Sequence, residues 1–208
     1  MSLTTNKYVN EWVNEMIDLN KPDSVVWIDG SKEQHDALRA QAVATGEMIK
    51  LNEEKLPGCY LHRTAIDDVA RVEDRTFICA PTKEEAGATN NWMDPAEMYA
   101  KLRKLYDGSM KGRTMYVLPF SMGVVGSPFA KAGIEITDSI YVVLNMEIMT
   151  RIGKAVLDSL GDSADFVHGL HSRATMNPEE RYIVQFPQDN TIWSINSGYG
   201  GNVLLGKK

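Results

Sequence analysis

Thr114-Met115-Tyr116-Val117-Leu118-Pro119-Phe120 is an uncharged run of aromatic, β-branched and other apolar residues. Such a run suits a strand packed into a sheet. Gly123, Gly126 and Pro128 punctuate the loop that follows. Ile134 to Thr137 reads as a second, short strand. Asp138 or Ser139 then caps a helix that runs through Arg151 and is closed by Gly153. This alternation of strand, loop, strand and helix predicts the α/β class, with a mixed β-sheet flanked by helices.

The residues before this run fit the same class. Tyr8, Trp12, Met16 and Leu19 recur at helical spacing, widened by Val13 and Ile17, and Pro22 ends the helix. The stripe reads as core. Ser24 to Ile28 reads as a buried strand, and Asp29-Gly30 as a turn. Ser31 with Gln34 forms a capping box for a helix closed by Gly46. Glu47 to Leu51, Cys59 to His62 and Arg75 to Ala80 read as strands, and Ile66 to Val72 as a turn or short helix leading into one. Pro81 to Trp92 reads as a long ordered loop. Asp94-Pro95-Ala96-Glu97 starts a helix that ends near Tyr106, before Gly108. Downstream, Ala155 to Leu170 reads as two helical segments separated at Gly161. Arg181 to Phe186 and Thr191 to Asn196 read as two strands around Gln188-Asp189-Asn190.

Composition narrows the function. The 208 residues are 43% hydrophobic and 24% charged, which fits one domain or at most two small ones. A net charge of −6 argues against a general binder of nucleic acid or of an acidic membrane. Any anion site must therefore be a local basic pocket. Cys59 and Cys79 offer no framework of paired cysteines, which suits a reducing cytosol. No signal-peptide pattern and no run of about 18 apolar residues is present.

One local basic pocket suggests itself in Ser197-Gly198-Tyr199-Gly200-Gly201-Asn202-Val203-Leu204-Leu205-Gly206-Lys207-Lys208. Glycine backbone can bring N–H groups against an anion, and two ammonium groups supply charge. Gly201 to Lys207 fits the phosphate-loop pattern. The Ser or Thr that would ligate Mg²⁺ is replaced by Lys208, so a nucleotide site of that kind is poorly supported. A turn followed by solvated lysines is the plain alternative.

Arg71 and Glu73 share one face if their segment is extended. The Arg71 guanidinium could grip a carboxylate or phosphate, or belong to a surface network of Asp, Arg and Glu. Lys111, Arg113 and Lys131 read as a solvated edge. His168 and His171, three apart on an expected helix, could meet one metal ion geometrically. With no Cys or carboxylate pattern beside them, they read as surface or packing residues.

Several of these segments together resemble GTP-dependent phosphoenolpyruvate carboxykinase. They are Met110 to Gly123, Gly126-Ser127-Pro128, Gly133 to Ser139 and Ile148 to Arg151, with Asp68 to Glu73, Asn90-Asn91-Trp92-Met93 and Ser197 to Lys208. The resemblance runs from about Cys59 to the last residue and is looser before it. It implies interconversion of oxaloacetate with phosphoenolpyruvate and CO₂, using GTP and Mn²⁺, in gluconeogenesis in the cytoplasm, by an enzyme that is a monomer.

By that resemblance Arg71 binds the substrate carboxylate or phosphate and Glu73 orients that region. Tyr199, Gly200 and Gly201 form the substrate loop, Lys207 faces the phosphoryl group, and Lys208 is a manganese ligand. A lysine ligates a metal only as the neutral amine. Its ordinary pKa of about 10.4 must therefore fall, and a neighbouring ammonium, a divalent cation and burial all push that way. The family's nucleotide loop, its further metal ligands (a His and an Asp) and its guanine pocket come later in its chain. The resemblance therefore implies that residues 1–208 are a substrate-binding amino-terminal domain, truncated before the GTP-binding domain and inactive alone. A non-catalytic small-anion module and a purely structural domain are the competing readings.

Overall fold

Asn6 starts the first helix, α1 (Lys7–Asn20), by accepting hydrogen bonds from the amides of Tyr8 and Val9 on its side-chain oxygen. The computed structural model describes residues 2–63 and 73–198. Lys21 closes α1 in the left-handed conformation, just before Pro22. Trp12, Val13 and Met16 are buried as expected, whereas Tyr8 turns outward and Val9 takes its place in the core.

Strand β1 (Ser24–Trp27) is half-buried because it forms one edge of the sheet, and only Ile28, just past it, is fully enclosed. Helix α2 (Lys32–Ala44) is capped by Ser31, but the expected capping box is only half made. The Gln34 side chain instead accepts from the Asp29 amide and donates to the Trp27 carbonyl, tying the helix to the strand before it. Strands β2 (Met48–Lys50) and β3 (Tyr60–His62) pair as a separate antiparallel ribbon. A 3₁₀ turn, Glu73–Arg75, leads into β4 (Thr76–Ile78). The segment expected to be loop from Pro81 to Trp92 contains a short helix, α3 (Lys83–Ala86), with a complete capping box between Thr82 and Glu85. Helix α4 (Pro95–Tyr106) begins at the Asp94 cap as expected.

The opening run forms β5 (Thr114–Met122), which pairs with β1 in parallel and with β6 (Lys131–Thr137) in antiparallel. Ser139 caps α5 (Ile140–Met149), and Arg151–Ile152 forms a two-residue strand, β7, on β5. That strand ends the helix two residues short of the expected Arg151. Helix α6 (Lys154–Leu160) follows. Residues 167–170, the end of the stretch expected to be helical, instead belong to strand β8 (Val167–Ser172). Strands β9 (Tyr182–Phe186) and β10 (Thr191–Ile195) complete the sheet as the expected hairpin. The order is β1-β5-β6-β8-β10-β9-β4, with β7 beside β5. Strands β6, β8 and β10 run parallel to one another.

Alternate residues of β5 feed two cores, as strand geometry requires. Met115 and Val117 join Trp12, Met16, Met98 and Leu102 under α1 and α4. Tyr116 and Leu118 join Leu38, Ala42, Val143 and Leu144 under α2 and α5. Further along this second face, a trough of about 420 Å³ lies beside α5, lined by Glu135, Tyr141, Met146, Met149, His171 and Ile192 among others.

Gly153, at φ +97°, brings two backbones together. A Cβ there would lie 2.2 Å from the Asp29 carbonyl oxygen and 2.7 Å from Cα of Gly30. Main chain cannot swing aside as a flexible side-chain end would. Gly153→Ala is expected to cost about 2–3 kcal/mol through overpacking, lowering the melting temperature by about 4–12 °C. Thermal unfolding followed by circular dichroism checks this.

Candidate active site

The parallel strands β6, β8 and β10 end together, and their ends carry a connected polar cluster. Asp138 follows β6, and its side chain is fully buried. Its carboxylate accepts from Arg113 Nη1 at 2.6 Å, the Arg173 amide at 2.8 Å and Ser172 Oγ at 3.2 Å. Arg113, which the sequence suggests is a solvated residue, is thus committed to a buried partner and also donates to the Ala174 carbonyl. A buried carboxylate demands such compensation. Lys131 lies on the surface and pairs with Asp165.

Beside this pair, His171 is buried, with Nδ1 2.7 Å from Thr137 Oγ1 and Nε2 2.5 Å from the Ser197 carbonyl. Asn196 is buried at φ 63°. Its side-chain oxygen accepts from the amides of Thr175 and Asn177, and its amide group donates to the Glu180 carbonyl. The buried Arg181 Nε donates to the Asn196 carbonyl at 2.8 Å. Ala174, Met176 and Asn196 are three of the five described non-glycine residues with positive φ, and all three gather at this end. Backbone strain of this kind concentrates at functional sites because the surroundings must hold it in place.

Among the residues singled out from the sequence, Glu73 is described. It opens the 3₁₀ turn, so its segment is not extended there, and its side chain is exposed. Its carbonyl accepts from Asn91 Nδ2 at 2.6 Å, which fastens the turn to the Asn90–Met93 segment. Arg71, Tyr199, Gly200, Gly201, Lys207 and Lys208 lie outside the described residues. Their neighbours can still be located. Thr76 pairs with Ile183, Ile183 with Ser194, and Ser194 with His171. Since β4 runs antiparallel to β10, the start of β4 and the end of β10 share one edge of the sheet. Glu73 and Ser197, the described residues flanking Arg71 and the glycine segment, stand at that same end.

The two histidines do not form a metal pair. On a strand, residues three apart face opposite ways. His168 packs against Trp12 and Phe166, and burial holds its pKa below the ordinary value. Cys79 is likewise inert as a nucleophile, since burial pushes its thiol up to about 11. The sequence reading missed His171, Asp138, Asn196 and Arg181 as members of one cluster. Gly169 was the available signal against a helix, because glycine weakens a helix interior.

A mixed sheet with its polar cluster beyond the carboxyl ends of parallel strands defines an α/β domain of the kind that receives ligands at that edge. Residues 11–208 match the family model described as the phosphoenolpyruvate carboxykinase N-terminal domain. The chain belongs to that family. It is 61% identical over 205 residues to "Phosphoenolpyruvate carboxykinase [GTP]" of Anaeromyxobacter sp. (strain K), covering 99% of this chain and 34% of that one. It is 52% identical over 216 residues to the protein of that name from Corynebacterium kroppenstedtii, covering 99% and 35%. The chain therefore spans about a third of the length of the curated relatives it matches.

Proposed function

We propose that residues 1–208 act as the substrate-binding half of a GTP-dependent phosphoenolpyruvate carboxykinase, which decarboxylates and phosphorylates oxaloacetate to phosphoenolpyruvate, CO₂ and GDP. In this reading Arg71 forks onto the substrate carboxylate or phosphate. Glu73 orients the Arg71 segment from the 3₁₀ turn. Tyr199, Gly200 and Gly201 line the substrate, and the Lys207 ammonium offsets the charge that develops on the enolate and phosphoryl oxygens. Lys208, as a neutral amine, contributes one ligand to Mn²⁺. In this reading that lysine is this chain's one ligand to the ion, and no group of three or more His, Cys, Asp or Glu able to hold an ion occurs among the described residues. A bound divalent ion would supply Lewis-acid charge at the reacting oxygens. GTP is assigned to the part of the relatives' length that this chain does not span, and turnover is not expected from these residues alone. The cytoplasm and a gluconeogenic role belong to the same reading. No helix among the described residues is long and apolar enough to cross a membrane.

The observation that carries this reading is the common edge shared by Glu73 and Ser197. It supports a reading in which Arg71 and the glycine segment work on one small dianion. Oxalate, a stable planar dianion, tests it. With Mn²⁺ and oxalate at about 100 times its dissociation constant, the chain should gain about 2.7 kcal/mol, a rise of about 5–10 °C in melting temperature. Arg71→Ala should lose the shift. An unchanged shift in that variant removes Arg71 from the site, and a shift that does not need Mn²⁺ favours a simple anion-binding module.

A further inference from the structure

The last described peptides before the glycine segment are held one by one. The Asn196 carbonyl accepts from Arg181 Nε at 2.8 Å, and the Asn196 amide donates to the Ser172 carbonyl at 2.9 Å. The next carbonyl, Ser197, meets His171 Nε2 at 2.5 Å. Every group in this series is buried, so each contact is formed in dry surroundings and is costly to lose.

The tautomer follows from the partners. A carbonyl oxygen is only an acceptor, so at that distance Nε2 must carry the proton. In a singly protonated ring Nδ1 is then the acceptor for the Thr137 hydroxyl. The hydroxyl oxygen accepts from the Ser139 amide at 3.1 Å on a lone pair, which leaves its proton available to Nδ1. Ser139 in turn caps α5. A continuous line thus runs from a helix N-terminus through β6 and β8 to the residue where the glycine segment begins.

We propose that His171 is a positioning residue for the substrate loop, its Nε2–H fixing the Ser197 carbonyl at the loop's root while Thr137 fixes its tautomer. The inference rests on the half-site reading for the identity of the loop, but the anchoring can be tested without substrate.

Two substitutions separate anchoring from packing. Glutamine can place an amide nitrogen where Nε2 stands and still donate to Ser197. Asparagine reaches only the Nδ1 position. Amide hydrogen exchange of the 208-residue chain should accelerate about tenfold or more across 197–201 in His171→Asn and less than about threefold in His171→Gln. Peptides from β5 and α4 should be unchanged. Oxalate affinity in the presence of Mn²⁺ should follow the same ranking.

Imidazole ¹⁵N spectra of the unsubstituted protein, with the His171 signal assigned by its loss in His171→Gln, should show the Nε2–H tautomer. This readout stands even if His171→Asn fails to fold. Equal acceleration in both variants, or an Nδ1–H tautomer, overturns the proposal. If the two variants differ as expected but the unsubstituted chain does not bind oxalate, the anchoring role is upheld and the half-site reading falls.

Discussion

Arg113→Met should destabilise the chain by about 3–4 kcal/mol, because it leaves a buried carboxylate without its charge partner. The Asp138 side chain has no exposure, and Arg113 retains 37%, so some water can relax around the survivor. That places the cost toward the lower part of the range for broken buried pairs. Methionine keeps much of the arginine stem's volume, so the loss reports charge more than packing. Adding Asp138→Asn to Arg113→Met should recover about 1 kcal/mol, since the amide oxygen can still accept from the Arg173 amide while the stranded charge disappears. Urea denaturation of the three proteins measures this. A single substitution costing less than about 1 kcal/mol would mean that the pair is solvated and does not organise the strand ends.

The second large effect is one of pH. Glu135 lies on the trough face of β6, opposite Gly169 of β8, and is half-buried. Its carboxyl is pushed up from 4.5 to about 8, with burial as the cause. The folded chain therefore keeps a proton that the unfolded chain releases above about pH 4.5. Stability from this group is fully present below that value and is lost as pH rises through about 8. The full displacement would correspond to about 5 kcal/mol. Residual water at a half-buried residue lowers the expectation to about 3 kcal/mol. Relative to Glu135→Gln, which cannot ionise, the unsubstituted protein should lose that much stability between pH 5 and pH 9. A difference that stays flat across this interval would show the carboxyl to be ordinary and solvated.

Local signals carried most of the fold. Asp94-Pro95 started α4, the apolar stripe of α1 matched its core face except at Tyr8, and the turn at Gln188-Asp189-Asn190 gave the β9–β10 hairpin. Failures came where tertiary partners overrode local preference. The segment at 167–172 carries two histidines and a glycine and shows little strand propensity. It becomes β8 because β6 and β10 hydrogen-bond to it from both sides. Gln34 left its cap because the Trp27 carbonyl and Asp29 amide needed a partner. α3 was missed although Thr82 and Glu85 stand at capping-box spacing, since four helical residues leave no periodicity to read.

The candidate site divides the same way. Arg71, Glu73 and the glycine segment were visible as residue types in a pattern. The pairing of Arg113 with Asp138, 25 positions apart, and of His171 with Ser197, 26 apart, depends on sheet order, which spacing does not encode.

The shared edge is tested most directly by Mn²⁺ itself. Manganese broadens the amide resonances nearest to it. With oxalate present, the assigned spectrum of the 208-residue chain should lose intensity both around Glu73, Asp74 and Asn91 and around Arg173, Asn196 and Ser197, while Leu38 and Ala42 keep theirs. Broadening of only one of those two groups, or a pattern indifferent to oxalate, would contradict a single site built from both.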